Sequence, residues 1–211
     1  MKISAIEIAQ NQVEIHIVTK QDVTELHEIT RFWNAFYSNE TDLPNKNRIT
    51  EYFETYAIHD AFVVCGFLDG KCIGTLQANH EQNGHFEFDY TTENIKEPVV
   101  EVSKLIIDKS YRNTTLKLVL MAECQAYAMK IHHPYVICIN CTQRLLPFYE
   151  HIGFKRVEEK IHVHPILKNE CYLLYCSSSD FEGICGDFKS LIAGNRQLKH
   201  IQSLRFLLTT K

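Results

Sequence analysis

The chain has 211 residues, enough for one good-sized domain and cramped for two. Hydrophobic residues make up 45% and charged residues 23%, with a formal net charge of −4, so no global basic field points toward nucleic acid. No segment reads as an integral membrane span, and the first fifteen residues carry Glu7 in their apolar part without a clean signal-peptide core, so a cytoplasmic location is the expectation.

VEIHIVT, Val13 to Thr19, alternates and predicts a first strand. Asp22 is placed as the N-cap of a helix, with Glu25 at capping-box spacing and Leu26, Ile29, Trp33 and Phe36 on one stripe. That helix fades at Ser38-Asn39, TDLPNKN reads as a loop, and Arg48 to Ala57 predicts a short second helix. Two apolar runs flank Asp69-Gly70, a favoured turn dipeptide, and predict a hairpin. HFEFDYT, His85 to Thr91, alternates and predicts another strand. VVEVSKLIID, Val99 to Asp108, predicts a strand with Val100, Val102, Lys104 and Ile106 on one face and Glu101, Ser103, Leu105 and Ile107 on the other. A helix over about Thr115 to Lys130 follows, then the apolar strand PYVICIN, the short helical LLPFYEHIG, a strand near FKRVEEKIHVH and the strand CYLLYC. This order predicts an α/β fold, a mixed sheet with helices on both faces. The domain is expected over residues 1–180. Residues 181–211 are expected to form an amphipathic helical tail packed on it, in which Lys189, Arg196, Lys199, Arg205 and Lys211 also suit a basic docking surface.

Most of the eight cysteines lie in apolar runs and read as small core residues in a reducing compartment. Cys138-Ile-Asn-Cys141 has no second pair at zinc spacing, so no metal is expected.

Three motifs carry chemistry. Tyr149-Glu-His-Ile-Gly-Phe154, following a strand, resembles the C-terminal signature of the GCN5-related N-acetyltransferase (GNAT) superfamily. The resemblance implies the GNAT fold, with a central mixed sheet of about six to seven strands, and a Tyr149 beside the sulfur of a thioester cofactor. By spacing alone, Tyr149 also suits a core aromatic four residues from Leu145. Second, the loop that opens the Thr115 helix starts with Arg112, where the superfamily's R-x-x-G-x-G/A loop holds a pyrophosphate on backbone amides. Asn113, Thr114, Thr115 and Lys117 stand where small residues and glycines are usual; backbone amides can still donate and Thr114, Thr115 and Lys117 add side-chain donors, but the close approach that Gly allows is lost. Third, Glu101-Val-Ser-Lys-Leu105 resembles the E-x-[ST]-R-[LF] strand of acyl-homoserine-lactone synthases and N-acyl amino acid synthases, with Lys104 in place of the usual Arg. His164-Pro165 and the strand after it resemble the end of the latter group.

The resemblance implies an N-acyltransferase. The donor is acyl-CoA, acetyl-CoA or the acyl-phosphopantetheine of an acyl carrier protein; the acceptor is the primary amine of an amino acid or similar small molecule. Glu101 is the implied general base and Tyr149 the acid. Leu105, Ile106 and Ile107, the loop Arg112–Lys117 and Asn140 are the implied cofactor contacts, and Arg31 and Lys104 the implied substrate contacts. Gln77, His80 and His85 are further polar candidates for the acceptor pocket, with exposure their default. Rival readings are an acetyl-CoA-dependent N-acetyltransferase and a non-catalytic ligand-binding module that keeps the fold. Acyl length, acceptor identity and oligomeric state stay open at this point.

Overall fold

The computed structural model describes residues 1–8, 10–39, 46–55, 61–80, 86–90, 95–131 and 135–194. The chain opens with the antiparallel pair β1 (Lys2–Ile8) and β2 (Asn11–Val18). Helix α1 (Val23–Asn39) follows, then a 3-10 turn (Lys46–Arg48) leading into α2 (Ile49–Thr55). The hairpin β3 (Phe62–Leu68) and β4 (Lys71–His80) leads to β5 (Val99–Ile107), α3 (Leu116–Ile131) and β6 (Val136–Cys141). Then come α4 (Leu146–His151), the short strands β7 (Lys155–Arg156) and β8 (His162–Val163), β9 (Glu170–Ser177) and α5 (Ser178–Ile192). The strands join in the order β1-β2-β3-β4-β5-β6-β9-β7, with β8 on the side of β9. Of the pairs described, only β5–β6 is parallel.

The sheet therefore has nine strands rather than six to seven. The addition at its front is β1, whose apolar residues Ile3 and Ile6 are only partly buried and give a weak period-two signal. At its rear, the charged run Glu158-Glu159-Lys160 splits the expected strand into β7 and β8. The hairpin turn is as expected: Asp69 (φ +49°) and Gly70 (φ +75°) both take the left-handed conformation that a type I′ turn requires. Asp22 does precede α1, but its carboxylate turns back to the Thr19 N–H (2.8 Å) and hydroxyl (3.0 Å) instead of closing a capping box. Residues 86–90 join no strand ladder; Phe86 and Tyr90 pack edge to face, and Glu87 is tied to β5 by a side chain.

Helices α1 and α2 cover one face of the sheet, where Ile29 and Trp33 pack on Val63, Cys65 and Ile106. Full burial of such side chains contributes about 1.5–3 kcal/mol each. Helices α3 and α5 cover the other face. Helix α3 is buried well beyond the stripe Leu116, Leu120, Cys124 and Tyr127, because α5 lies over it: Leu118, Val119, Met121, Ala122 and Ala128 are buried too. All eight cysteines are buried free thiols. Among the described residues no helix is long and apolar enough to cross a membrane. The tail residues Arg196, Lys199, Arg205 and Lys211 lie outside the described residues.

Helix α4 is stopped by Gly153 at φ +97°. The Phe154 N–H donates to the Tyr149 carbonyl (3.0 Å) and the Gly153 N–H to that of Glu150 (3.1 Å), a Schellman-type end. A Cβ at this φ is strained, so Gly153→Ala is expected to cost about 1–2 kcal/mol. Urea denaturation reads this as a lowered midpoint at unchanged slope, and an unmoved midpoint would contradict it.

Candidate active site

Strand β5 makes the site through two departures from regular geometry. The first is a bulge. The β4–β5 register slips between Thr75 and Gln77, and opposite the slip Lys104 takes φ +53°. For a lysine that conformation costs on the order of 1 kcal/mol. A buried chain of bonds holds it there: Trp33 Nε1 donates to Thr75 Oγ1 (2.8 Å), and Thr75 Oγ1 donates to the Lys104 carbonyl (3.0 Å). The bulge reverses the strand's faces beyond Ser103. Lys104 and Ile106 turn to the α1 side together with Glu101, while Leu105 and Ile107 join the α3 side. This corrects the alternation expected from the sequence, which put Lys104 with Val100.

The second departure is a splay. β5 and β6 pair only at Val99–Val136, Val100–Ile137 and Glu101–Cys138, then diverge. A single cavity of about 450 Å³ threads the gap, a volume typical of small-molecule sites. On the α1 side it is lined by Tyr37, Tyr52, Glu87, Ser103, Lys104 and His164, and on the α3 side by Leu76, Val100, Met121, Ala128, Ile137 and Phe181. Tyr149 and Asn140 line it near the gap.

The polar side is a buried network centred on Glu87. One carboxylate oxygen accepts from the Tyr52 hydroxyl (2.6 Å) and lies 3.5 Å from Lys104 Nζ; the other accepts from Asn140 Nδ2 (2.8 Å) and faces His164 Nε2 at 3.6 Å. His164 Nδ1 accepts the N–H groups of Ile166 (3.2 Å) and Leu167 (3.0 Å), which places the ring proton on Nε2, toward Glu87. Lys104 Nζ also sits 4.8 Å from the Tyr52 ring centre and 5.4 Å from that of Trp33.

Glu101 stands behind Glu87. It is fully buried, its two oxygens accept the Glu87 N–H (3.0 Å each), and one accepts the Tyr90 hydroxyl (2.9 Å). Burial first, and then the charge of Glu87, push the Glu101 carboxyl up to about 8. Burial opposes ionisation of Glu87 too, but Lys104 and His164 outweigh it and hold that carboxyl well below the usual range. The two carboxyls are therefore pushed apart, Glu87 toward the ionised form at the cavity wall and Glu101 toward the protonated form behind it.

A second, cationic cleft opens at the ends of β5 and α3. It is lined by Leu105, Ile106, Ile107, Arg112, Lys117, Arg144 and Tyr149, so Tyr149 borders both spaces. Arg112 Nε donates to the Ile107 carbonyl (3.1 Å), and its guanidinium lies over Phe36 (5.8 Å). Lys117 Nζ lies 5.4 Å from the Phe148 ring centre, and burial pulls its pKa down, an effect an anion in the cleft would reverse. Asn113 is exposed and lines neither space. The Thr114 hydroxyl donates to the Tyr111 carbonyl (2.7 Å) and accepts the Leu116 N–H (3.3 Å), while the Thr115 carbonyl accepts from Leu118 and Val119. The Leu116 side chain is wholly in the core, against Gly66 and Gly74. The Thr114 hydroxyl and the Thr115 carbonyl thus serve the start of α3, and Arg112, Lys117 and Arg144 are the cations that line the cleft.

A family model for the N-acyl amino acid synthase FeeM matches residues 28–177, more than half of the chain. The chain belongs to the FeeM N-acyl amino acid synthase family. It is an N-acyltransferase of the GNAT superfamily. FeeM itself, an N-acyl amino acid synthase from uncultured soil microbes, superposes with a TM-score of 0.61 at 13% identity, over 81% of this chain and 93% of its own. An acyl-CoA N-acyltransferase from Pseudomonas aeruginosa gives 0.58 at 12%, over 76% and 97%. MesI, a CoA-dependent acyl-homoserine lactone synthase, gives 0.54 at 13%, over 81% and 92%. These likenesses show the fold. No curated protein matches the sequence.

In this FeeM-family chain the structure brings Tyr149, Lys104, Asn140, Leu105, Ile106, Ile107, Arg112 and Lys117 to the two spaces. It does not bring Arg31, which is exposed on α1 with its guanidinium on Glu28 (2.7 and 2.9 Å). Gln77 and His80, expected at the surface, are buried, because β4 is an interior strand; His85 lies outside the described residues. The amide of Gln77 and the hydroxyl of Ser103, partners across β4–β5, lack hydrogen-bond partners among the described residues. Glu87, Tyr52 and Arg144 were not singled out in the sequence. Only Arg144, a cation in the turn after an apolar strand, carried a local signal. Among the described residues no group of three or more His, Cys, Asp and Glu is placed to hold a metal.

Proposed function

We propose that this protein acylates the primary amine of an amino acid or similar small molecule, taking a long acyl chain from a phosphopantetheine thioester. The observation that carries the reading is the cavity that crosses the sheet through the β5–β6 gap. It offers a polar chamber on one side, an apolar arm on the other, and Tyr149 between them. An acetyl group would leave the apolar arm empty. Among donors we favour the acyl carrier protein. The cation-lined cleft with its Gly-poor loop suits a single phosphodiester, and the basic residues of the tail suit an acidic carrier.

In this reading the donor supplies the acyl thioester. The β5 backbone at Leu105 and Ile106, beyond the stretch that pairs with β6, stabilises its carbonyl oxygen. Lys104 disfavours a second cation beside it, which keeps the bound acceptor amine neutral. Glu87, the ionised carboxylate of the chamber, draws the proton that the amine nitrogen sheds as the C–N bond forms, with Lys104 and His164 limiting its basicity. Tyr149 hands its phenolic proton to the sulfur as the C–S bond breaks. Burial first, and nearby Cys141, raise the phenol's pKa, so the proton is present to give. Ser103, which lines the chamber, supplies a neutral hydrogen-bonding group for the acceptor's remaining polar atoms.

The test is thiol release from acyl carrier protein loaded with long chains, from palmitoyl-CoA and from acetyl-CoA, each with a pool of amino acids, and mass spectrometry of the products. Release with the long-chain carrier donor and formation of N-acyl amino acids is the expected result. Release from acetyl-CoA alone would establish the acetyltransferase reading. Tight donor binding without release from any donor would establish a binding module.

A further inference from the structure

The apolar arm ends on polar groups. Gln125 on α3 and Tyr135, just before β6, are 4% and 1% exposed, and both line the cavity. The Tyr135 hydroxyl donates to Gln125 Oε1 (2.6 Å), and Gln125 Nε2 donates to the Ser178 carbonyl (2.9 Å). The Ser178 N–H in turn donates to the Tyr135 carbonyl (3.0 Å), and the Tyr135 N–H to Ser178 Oγ (3.4 Å). One closed set of bonds therefore pins α3, β6 and the start of α5 together across the end of an otherwise apolar arm. A hydrocarbon chain cannot push past it without breaking buried hydrogen bonds that it cannot replace.

The depth of this floor follows from the elements that carry it. Lys117 lines the cleft beside Tyr149, and Gln125 lies eight residues further along α3, about 12 Å at 1.5 Å per residue. Cys141 lies at the gap, and Tyr135 lies six residues back along β6, about 20 Å at 3.3 Å per residue. An extended alkyl chain advances about 1.25 Å per carbon, from a 1.52 Å bond opened to about 111°. The two paths hold about 10 and about 16 carbons.

Resting on the acyl-transfer reading above, we infer that the hydrogen-bonded pair Gln125–Tyr135 is the stop that sets acyl-chain length, selecting chains of about 10–16 carbons. The pair positions nothing at the reacting atoms; it acts on the far end of the donor.

The readout is a ratio within one preparation, so it does not depend on the folded fraction. Carrier-linked donors from eight to twenty carbons are compared for kcat/KM. Gln125→Ala is expected to raise the ratio of the twenty-carbon to the twelve-carbon donor by about tenfold, the discrimination one or two buried methylenes give. Ala128→Leu, one turn away on the same wall, is expected to lower the sixteen-to-eight-carbon ratio. Ratios that stay at wild-type values in both variants overturn the proposal. The wild-type protein supplies an independent measurement: acyl-pantetheine probes with a diazirine at the chain end are photolysed and the cross-link is mapped. Labelling of Gln125, Tyr135 or their immediate neighbours by chains of about 10–16 carbons supports the stop; labelling elsewhere overturns it. If the enzyme turns over no donor but the labelling is found, the acyl-transfer reading fails and the stop stands.

Discussion

Glu87→Gln lowers kcat by about 10²–10⁴-fold, the range expected when a positioned base is removed. The side chain keeps its shape and can still meet the Tyr52 hydroxyl, but it loses the charge that Lys104 and His164 surround. Steady-state kinetics with a saturating donor measures the effect, and circular dichroism shows that the fold is retained. The contrast is Glu101→Gln. Burial and the Glu87 charge favour the protonated form of Glu101, which glutamine resembles, and the amide oxygen still accepts the Glu87 N–H. Its kcat is expected to stay within about tenfold of wild type, the low end for a residue outside the proton path. If the two variants exchange these outcomes, Glu101 is the base, as the sequence resemblance alone implies.

The same pair gives stability a pH dependence of known sign. The folded-state pKa of Glu101, about 8, is above its ordinary value of 4.5. Between those two values the folded protein binds more protons than the unfolded chain, so stability is greatest at the acid end of that window and falls as pH rises through it. Glu87 has the opposite shift, and its contribution is lost only in strong acid. Glu101→Gln should therefore flatten the stability–pH curve between about pH 5 and 8, in a series of urea titrations.

Tyr149→Phe lowers kcat by about 10²–10⁴-fold while the KM for the donor changes little, because only the hydroxyl is lost. The ring keeps its edge-to-face contacts with Phe148 (5.1 Å) and Phe154 (5.6 Å), so the urea midpoint should stay close to wild type. Unchanged turnover would remove Tyr149 from the reaction and leave it as a core aromatic, the role its spacing from Leu145 also permits.

Local features of the fold were legible in the sequence. The Asp69-Gly70 turn, the start of α1 after Asp22 and the end of α4 at Gly153 depend on one or two residues each, and composition specifies them. The Tyr149 motif was legible because strand, helix and glycine stop follow in fixed order. What was hidden depends on partners far along the chain. No pattern within Glu101–Leu105 announces the bulge at Lys104, since Trp33 and Thr75 hold it. Glu87 looked like one polar residue in an alternating run; it becomes central only when Tyr52, Lys104, Asn140 and His164 meet around it. Gln77 was read as exposed because β4 gains its interior place from β5, which lies more than twenty residues on.

The gap between β5 and β6 also has a thermodynamic meaning. Elsewhere in the sheet, strand pairing fills the space between neighbours; here a ligand must fill it. In the proposed function the acyl donor is both reactant and missing core, and its binding is coupled to folding by mass action. At a donor concentration of 100 times Kd, occupancy adds about 2.7 kcal/mol to the folded state. On that reading every turnover returns the protein to its less stable form, and its resistance to unfolding follows the supply of its own donor.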